Sequence, residues 1–148
     1  MNKYPTWWNT TITIFNKFED PATYVIRWYK TTVQGVFWKN AGNKVNINGT
    51  VLETNDIICR IRKDDRYMDK GTWINIPNDQ MENYFTLGKE DIIVKGDVPD
   101  IIDEYITGKH SNDLLNKYKQ IGECLIIQQV SDNTGGGRGQ EHYYVKGV

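Results

Sequence analysis

At 148 residues, the chain is long enough for one domain with its own core and too short for two comfortable ones. Aromatic residues make up 12% of it, which supplies apolar area that a disordered chain lacks even at a mean hydropathy of -0.62. Its 18 basic and 19 acidic residues argue against a protein that grips nucleic acid by neutralising phosphates, and no apolar run approaches the roughly 20 residues of a bilayer span.

The first half reads as strands. Residues 1–13 carry one Lys and no continuous apolar stretch, so they do not read as a secretory signal, and synthesis in the cytoplasm is expected. Trp7 and Trp8 precede the first strand; an extended segment cannot bury both rings in one direction, which makes the pair a candidate for contact with a partner. Ile12 and Ile14 alternate with Thr11 and Thr13. Tyr24, Ile26 and Trp28 alternate with Val25, Arg27 and Tyr29. Val45, Ile47 and Val51 alternate with Asn46, Asn48 and Thr50, with Gly49 interrupting the apolar face, and Ile57, Cys59 and Ile61 alternate with Ile58, Arg60 and Arg62. This period of two places one set on a core and the other toward solvent or a partner. Shorter strands are predicted at 33–38 and 72–76, and Asp20-Pro21, 40–43 and Asp64-Asp65 supply turns.

The second half opens with a strand at 91–96. A two-helix insertion is predicted over about 98–121. Pro99 suits a first helical turn, Ile101, Ile102, Tyr105 and Ile106 form an apolar face, and Gly108 ends it. Ser111 caps a second helix carrying Leu114, Leu115 and Tyr118. Cys124 opens a strand to Val130. A flexible loop spans about 131–140, and His142 to Lys146 closes the chain as the second strand of a hairpin. The fold class expected is mostly β, an antiparallel barrel or sandwich in one domain over 1–148. Residues 1–74 carry 11 basic against 7 acidic residues and residues 75–148 carry 7 against 12, the charge pattern of a dipolar subunit.

Chemistry-bearing patterns are sparse. His110, His142, Cys59 and Cys124 lack metal-ligand spacing, and both cysteines read as buried free thiols, so no metal and no cofactor is expected. No nucleophile sits in a setting that would activate it, and Glu90-Asp91 and Asp103-Glu104 read as solvated acids. Gly135, Gly136, Gly137, Arg138 and Gly139 lack the Lys and helix of a phosphate loop; they read as a flexible tip that orders on a partner, with Arg138 as its charged anchor. Trp28, Trp38 and Trp73, if they shared an outward face, would instead stack a glycan or single-stranded nucleic acid, as β-barrel binding modules do.

The run Asp91-Ile92-Ile93-Val94-Lys95-Gly96, the helix with Leu114, Leu115 and Tyr118, the strand ending Val130-Ser131-Asp132-Asn133, and the closing His142-Tyr143-Tyr144-Val145-Lys146-Gly147 resemble small structural proteins from phages and prophages of Gram-positive bacteria. These are head–tail connector proteins of the head-closure, or stopper, type, from long-tailed phages. The likeness covers about residues 90–147 and, in the first half, only the strand pattern. It implies a non-enzymatic virion subunit, made in the host cytoplasm, that joins a ring at the neck. Its partners would be copies of itself, portal or adaptor proteins and tail proteins, with DNA passing through unbound and no membrane involved. A loop would occlude the channel, with 131–140 and 62–71 as candidates. A tail-completion or minor capsid protein is the neighbouring alternative.

Overall fold

A computed structural model describes residues 4–41, 43–54, 56–135 and 140–148, with backbone only at 43–45 and 52–54. Period-two alternation closes six strands into an antiparallel barrel. Around its wall run β1 (Thr10–Glu19), β2 (Ile26–Asn40), β5 (Ile57–Arg62), β8 (His142–Gly147), β7 (Cys124–Asn133) and β6 (Ile92–Lys95), which pairs back with β1. Of the barrel and the sandwich that the sequence leaves open, the antiparallel β-barrel is the fold. Closure gives every barrel strand a partner on each side along part of its length. Ile12 and Ile14 from β1, Cys59 and Ile61 from β5, and Leu125 and Val145 from β7 and β8 fill the interior at 0% exposure. Burying each large aliphatic side chain contributes about 1.5–3 kcal/mol, so the interior is a packed core rather than a channel.

The two short strands expected at 24–29 and 33–38 are one strand. Gly35, at φ +70°, bends β2 so that its first part pairs with β1 and its last part with β5. A side chain there would meet the Arg62 guanidinium at 2.8 Å. The strand expected at 45–51 is instead a hairpin, β3 (Asn43–Ile47) and β4 (Thr50–Thr54). Asn48 and Gly49 both have positive φ, as a two-residue type I′ turn requires. These strands pair only with each other, yet they keep the register of β2 and β5: Phe37 faces Arg60, Asn40 faces Ile57, Asn43 faces Thr54 and Ile47 faces Thr50. The pair is thus a ribbon that continues one barrel ladder past the rim, by about 25 Å at ~3.3 Å per residue.

Residues 63–91 close the barrel end opposite the ribbon. Phe85 and Leu87 enter the interior, and Phe18, Trp73 and Met81 form a second apolar cluster beneath them. The strand expected at 72–76 is replaced by α1 (Lys70–Trp73), capped by the Asp69 carboxylate on Thr72 N (3.2 Å) and Thr72 Oγ1 (2.7 Å). This turn inserts Trp73 edge-on to Phe18 and Tyr29.

Of the two expected helices, only the second forms, as α2 (Ser111–Lys119). Its N-cap is His110 rather than Ser111, with His110 N donating to Asp113 Oδ2 at 3.0 Å. Residues 99–108 stay irregular because their backbone is tied elsewhere. Asp103 N donates to Lys109 O, Val98 N to Thr13 Oγ1, and the Asp103 carboxylate accepts from Tyr105 N. Val98, Ile102, Leu114 and Tyr118 still bury an apolar face, against the outer surface of β1, β6 and β7 at Phe15, Ile92, Val94 and Cys124.

Candidate interaction surfaces

A fully buried carboxylate lies where the sequence reading places a solvated one. Asp91, read as a solvated acid beside Glu90, is 0% exposed. Its carboxylate accepts from Asn16 Nδ2 (2.9 Å), Lys17 N (3.0 Å) and Gly88 N (3.0 Å), and pairs with Lys70 Nζ at 3.4 Å. Burial raises its pKa, opposed by Lys70 and by these donors. Asn16 also exchanges two hydrogen bonds with the Thr86 backbone, at 2.7 and 3.2 Å. Every donor is spent on holding β1, β6 and the end-closing segment together, so this hub is a fastener rather than a reactive centre.

The cysteines lie on opposite sides of the wall. Cys59 faces the interior and Cys124 the outer layer under α2; both are free and buried. Burial pushes both thiols up, Cys124 to about 12, so neither is a thiolate at neutral pH. His142 packs edge-on to Trp8 at 5.6 Å, with Nδ1 2.8 Å from Gln140 O and Nε2 3.4 Å from Asn133 Nδ2. The carbonyl requires Nδ1 to donate, which leaves Nε2 to accept from the Asn133 amide. Among the described residues no group of three His, Cys, Asp or Glu could hold a metal ion, and no helix is long and apolar enough to cross a membrane.

The tryptophans separate. Trp8, a candidate for partner contact, is 5% exposed and packs on Tyr4, Phe37 and His142, so its ring is spent within the chain; Trp7 is 66% exposed and remains a contact candidate. Trp38 packs on the barrel core, Trp28 on the layer beneath α2, and Trp73 is wholly buried in the end cluster. They share no exposed face, which removes the stacking platform. In the loop of 131–140, Ser131, Asp132 and Asn133 extend β7, and Gly135 is exposed; Gly136, Gly137, Arg138 and Gly139 lie outside the described residues. The other loop candidate, 62–71, is fastened down: Asp64 pairs with Arg66 at 2.8 Å, Tyr67 bridges to Phe85, and Lys70 reaches Asp91.

Besides Trp7, several surfaces are open to contact among the described residues. The ribbon presents Ile47 and Val51 at 51% and 62% exposure on either side of its turn. At its root opens a cleft of about 530 Å³ lined by Asn40, Asp56, Ile57, Lys119 and Cys124. The outer face of β2, β5 and β8 carries Lys39, Arg60 and Lys146 around half-buried Phe37, Ile58 and Tyr144. Sequence alternation identified the outward residues of β5 but not that no helix covers them, because the covering layer depends on where 97–119 folds.

Residues 6–148 match the family model described as Family of unknown function (DUF6751), and the chain belongs to that family. No curated protein matches the chain, and no solved structure does.

Proposed function

We propose that this member of the family is a non-enzymatic structural subunit of a phage or prophage head–tail junction, a ring-forming connector of the head-closure type. One observation carries the reading: the ribbon β3–β4 continues the β2–β5 ladder past the rim and ends in exposed Ile47 and Val51. The ribbon's strands pair with each other and not with the barrel strands; a strand pair held away from the core, with Ile47 exposed on one of its faces and Val51 on the other, is suited to reach a neighbouring subunit. The packed barrel interior adds support, since it leaves the outer surfaces as the working parts. DNA would pass through the ring's opening and not through the barrel.

Sequencing the DNA on either side of the coding region is the first test. Portal and capsid genes before it and tail genes after it are expected, followed by detection of the chain at the neck of purified particles by labelled imaging. Metabolic or glycan-degrading neighbours, or particles lacking the chain, would overturn the reading.

A further inference from the structure

Two exposed stretches on the barrel surface carry excess charge of opposite sign. In a closed six-strand ring β6 lies three positions from β5, so the two are on opposite sides. The β6 side is covered by the segment from Val98 through α2. On the β5 side the outward residues form two cross-strand rows: Phe37, Arg60, Tyr144 and Ser131, then Lys39, Ile58, Lys146 and Gln129. The Arg60 guanidinium lies 5.1 Å from the Phe37 ring centre and 5.7 Å from that of Tyr144. Among the described residues neither Arg60 nor Lys39 has an acidic partner, while Lys146 lies 3.6 Å from Asp56. Two aromatic faces fix the guanidinium plane, which presents its fork to an incoming carboxylate at little further entropic cost.

On the β6 side the acids are concentrated at 97–113, while Lys117 and Lys119 follow in α2 and Lys30 Nζ donates to Val98 O. Residues 97–113 hold five acids and one lysine. Asp100 pairs with Lys117, but Asp97, Asp103, Glu104 and Asp113 have no cationic side chain as partner among the described residues. Between them Ile101, Tyr105 and Ile106 stand 52%, 64% and 43% exposed. Acidic groups interleaved with apolar ones match a face where Lys39 and Arg60 flank Phe37, Ile58 and Tyr144.

We infer that the β2–β5–β8 face of one copy receives the 97–113 segment of a second copy, head to tail. The inference rests on the reading of the chain as a self-assembling subunit and names the surfaces that join. Faces on opposite sides of one barrel cannot both be satisfied in a two-fold dimer, so each contact leaves a free face at either end, and assembly continues until a ring closes.

The test is zero-length carbodiimide coupling of full-length chain, mixing isotope-labelled with unlabelled protein. Expected are mixed-isotope links joining Lys39 to Asp103, Glu104 or Asp113, with a yield that falls as salt is raised. Arg60→Glu should cut this coupling by more than about tenfold, because like charges then face each other. Asp103→Lys with Glu104→Lys should do the same alone, and mixing the two variants should restore a sedimenting complex. Unchanged melting curves would show that both variants fold. Absence of mixed-isotope links at the highest soluble concentration, links only between like faces, or coupling untouched by Arg60→Glu would overturn the inference. So would DNA binding that Arg60→Glu abolishes in the absence of coupling between copies, which would make the face a nucleic-acid surface. The outcomes separate from those of the neck reading. Coupling with metabolic flanking genes keeps the contact and removes the neck, whereas normal particles built from Arg60→Glu chains keep the neck and remove the contact.

Discussion

Asp91 shows how much a single buried group can depend on its surroundings. Four donors converge on it, from Asn16, Lys17, Gly88 and Lys70, and none of them is an acceptor. Asparagine keeps the size of the side chain but turns an NH2 group toward those donors and leaves Lys70 without a counter-charge. Asp91→Asn is therefore expected to cost about 3 kcal/mol at neutral pH, read as a lower urea midpoint. Lys70→Gln should cost less, since the Lys70 side chain is 37% exposed and water can replace it. The buried thiols give a second prediction at this scale. Because burial holds both in the protonated form on opposite sides of the wall, an aromatic disulfide reagent should label neither Cys59 nor Cys124 in the folded protein and both after denaturation. Rapid labelling of native protein would contradict the packing described for β5 and β7. Nothing in the local sequence separates Asp91 from Glu90 beside it; what does is the reach of Asn16, 75 residues away in the chain.

Among the elements, those set by local alternation were legible and those set by distant packing were not. β1 and β5 lie where alternation predicts them, and β6 and β8 lie where strands are expected from the apolar run before Gly96 and from the closing hairpin; the many short antiparallel strands pointed to a barrel or a sandwich without choosing between them. The ribbon turn was legible too, in Asn48-Gly49, which is a hairpin signal whenever alternating segments flank it; reading Gly49 as an interruption hides it. The segments around Trp73 and Ile101 misled because apolar spacing alone does not say whether a residue packs from a strand, a helical turn or a loop. Ile101 and Tyr105 are exposed, and Ile102 reaches the core from an irregular backbone. That loop is fastened by Asp100, which accepts from Tyr118 Oη at 2.5 Å and Lys117 Nζ at 2.9 Å. Burial alone would raise the Asp100 pKa, but these two partners outweigh it and hold the carboxyl below its ordinary value of 3.8. A lowered folded-state pKa contributes stability that is present above 3.8 and lost as pH falls through the lowered value. The melting temperature of the wild type should therefore exceed that of Asp100→Asn at neutral pH, and the gap should close in acid. A gap that is constant across the acid range would mean the fastening is not ionic.

For the whole molecule, the ribbon is the part whose removal tests assembly apart from stability. Its strands pair with each other and with no barrel strand, and residues 46–51 are exposed throughout. The ladder it extends is already closed at the rim, where Asn40 faces Ile57 and Ala41 N donates to Asp56 O at 2.7 Å. A shortened chain in which an Asn-Gly turn replaces residues 42–55 keeps that register, because a two-residue turn needs cross-strand partners and Ala41 and Asp56 already are partners. Such a chain should fold with a melting temperature within a few degrees of the full-length protein, on the scale of about 0.5 kcal/mol for surface changes away from the core. If the ribbon is the arm that reaches a neighbour, the same chain expressed in place of the original should yield filled heads without joined tails. The charged faces on β5 and beside β6 are untouched by the deletion, so coupling between copies through Lys39 should persist. Loss of folding would mean that the ribbon belongs to the barrel's stability and not to its reach, and normal joined particles from the shortened chain would remove the ribbon from assembly altogether.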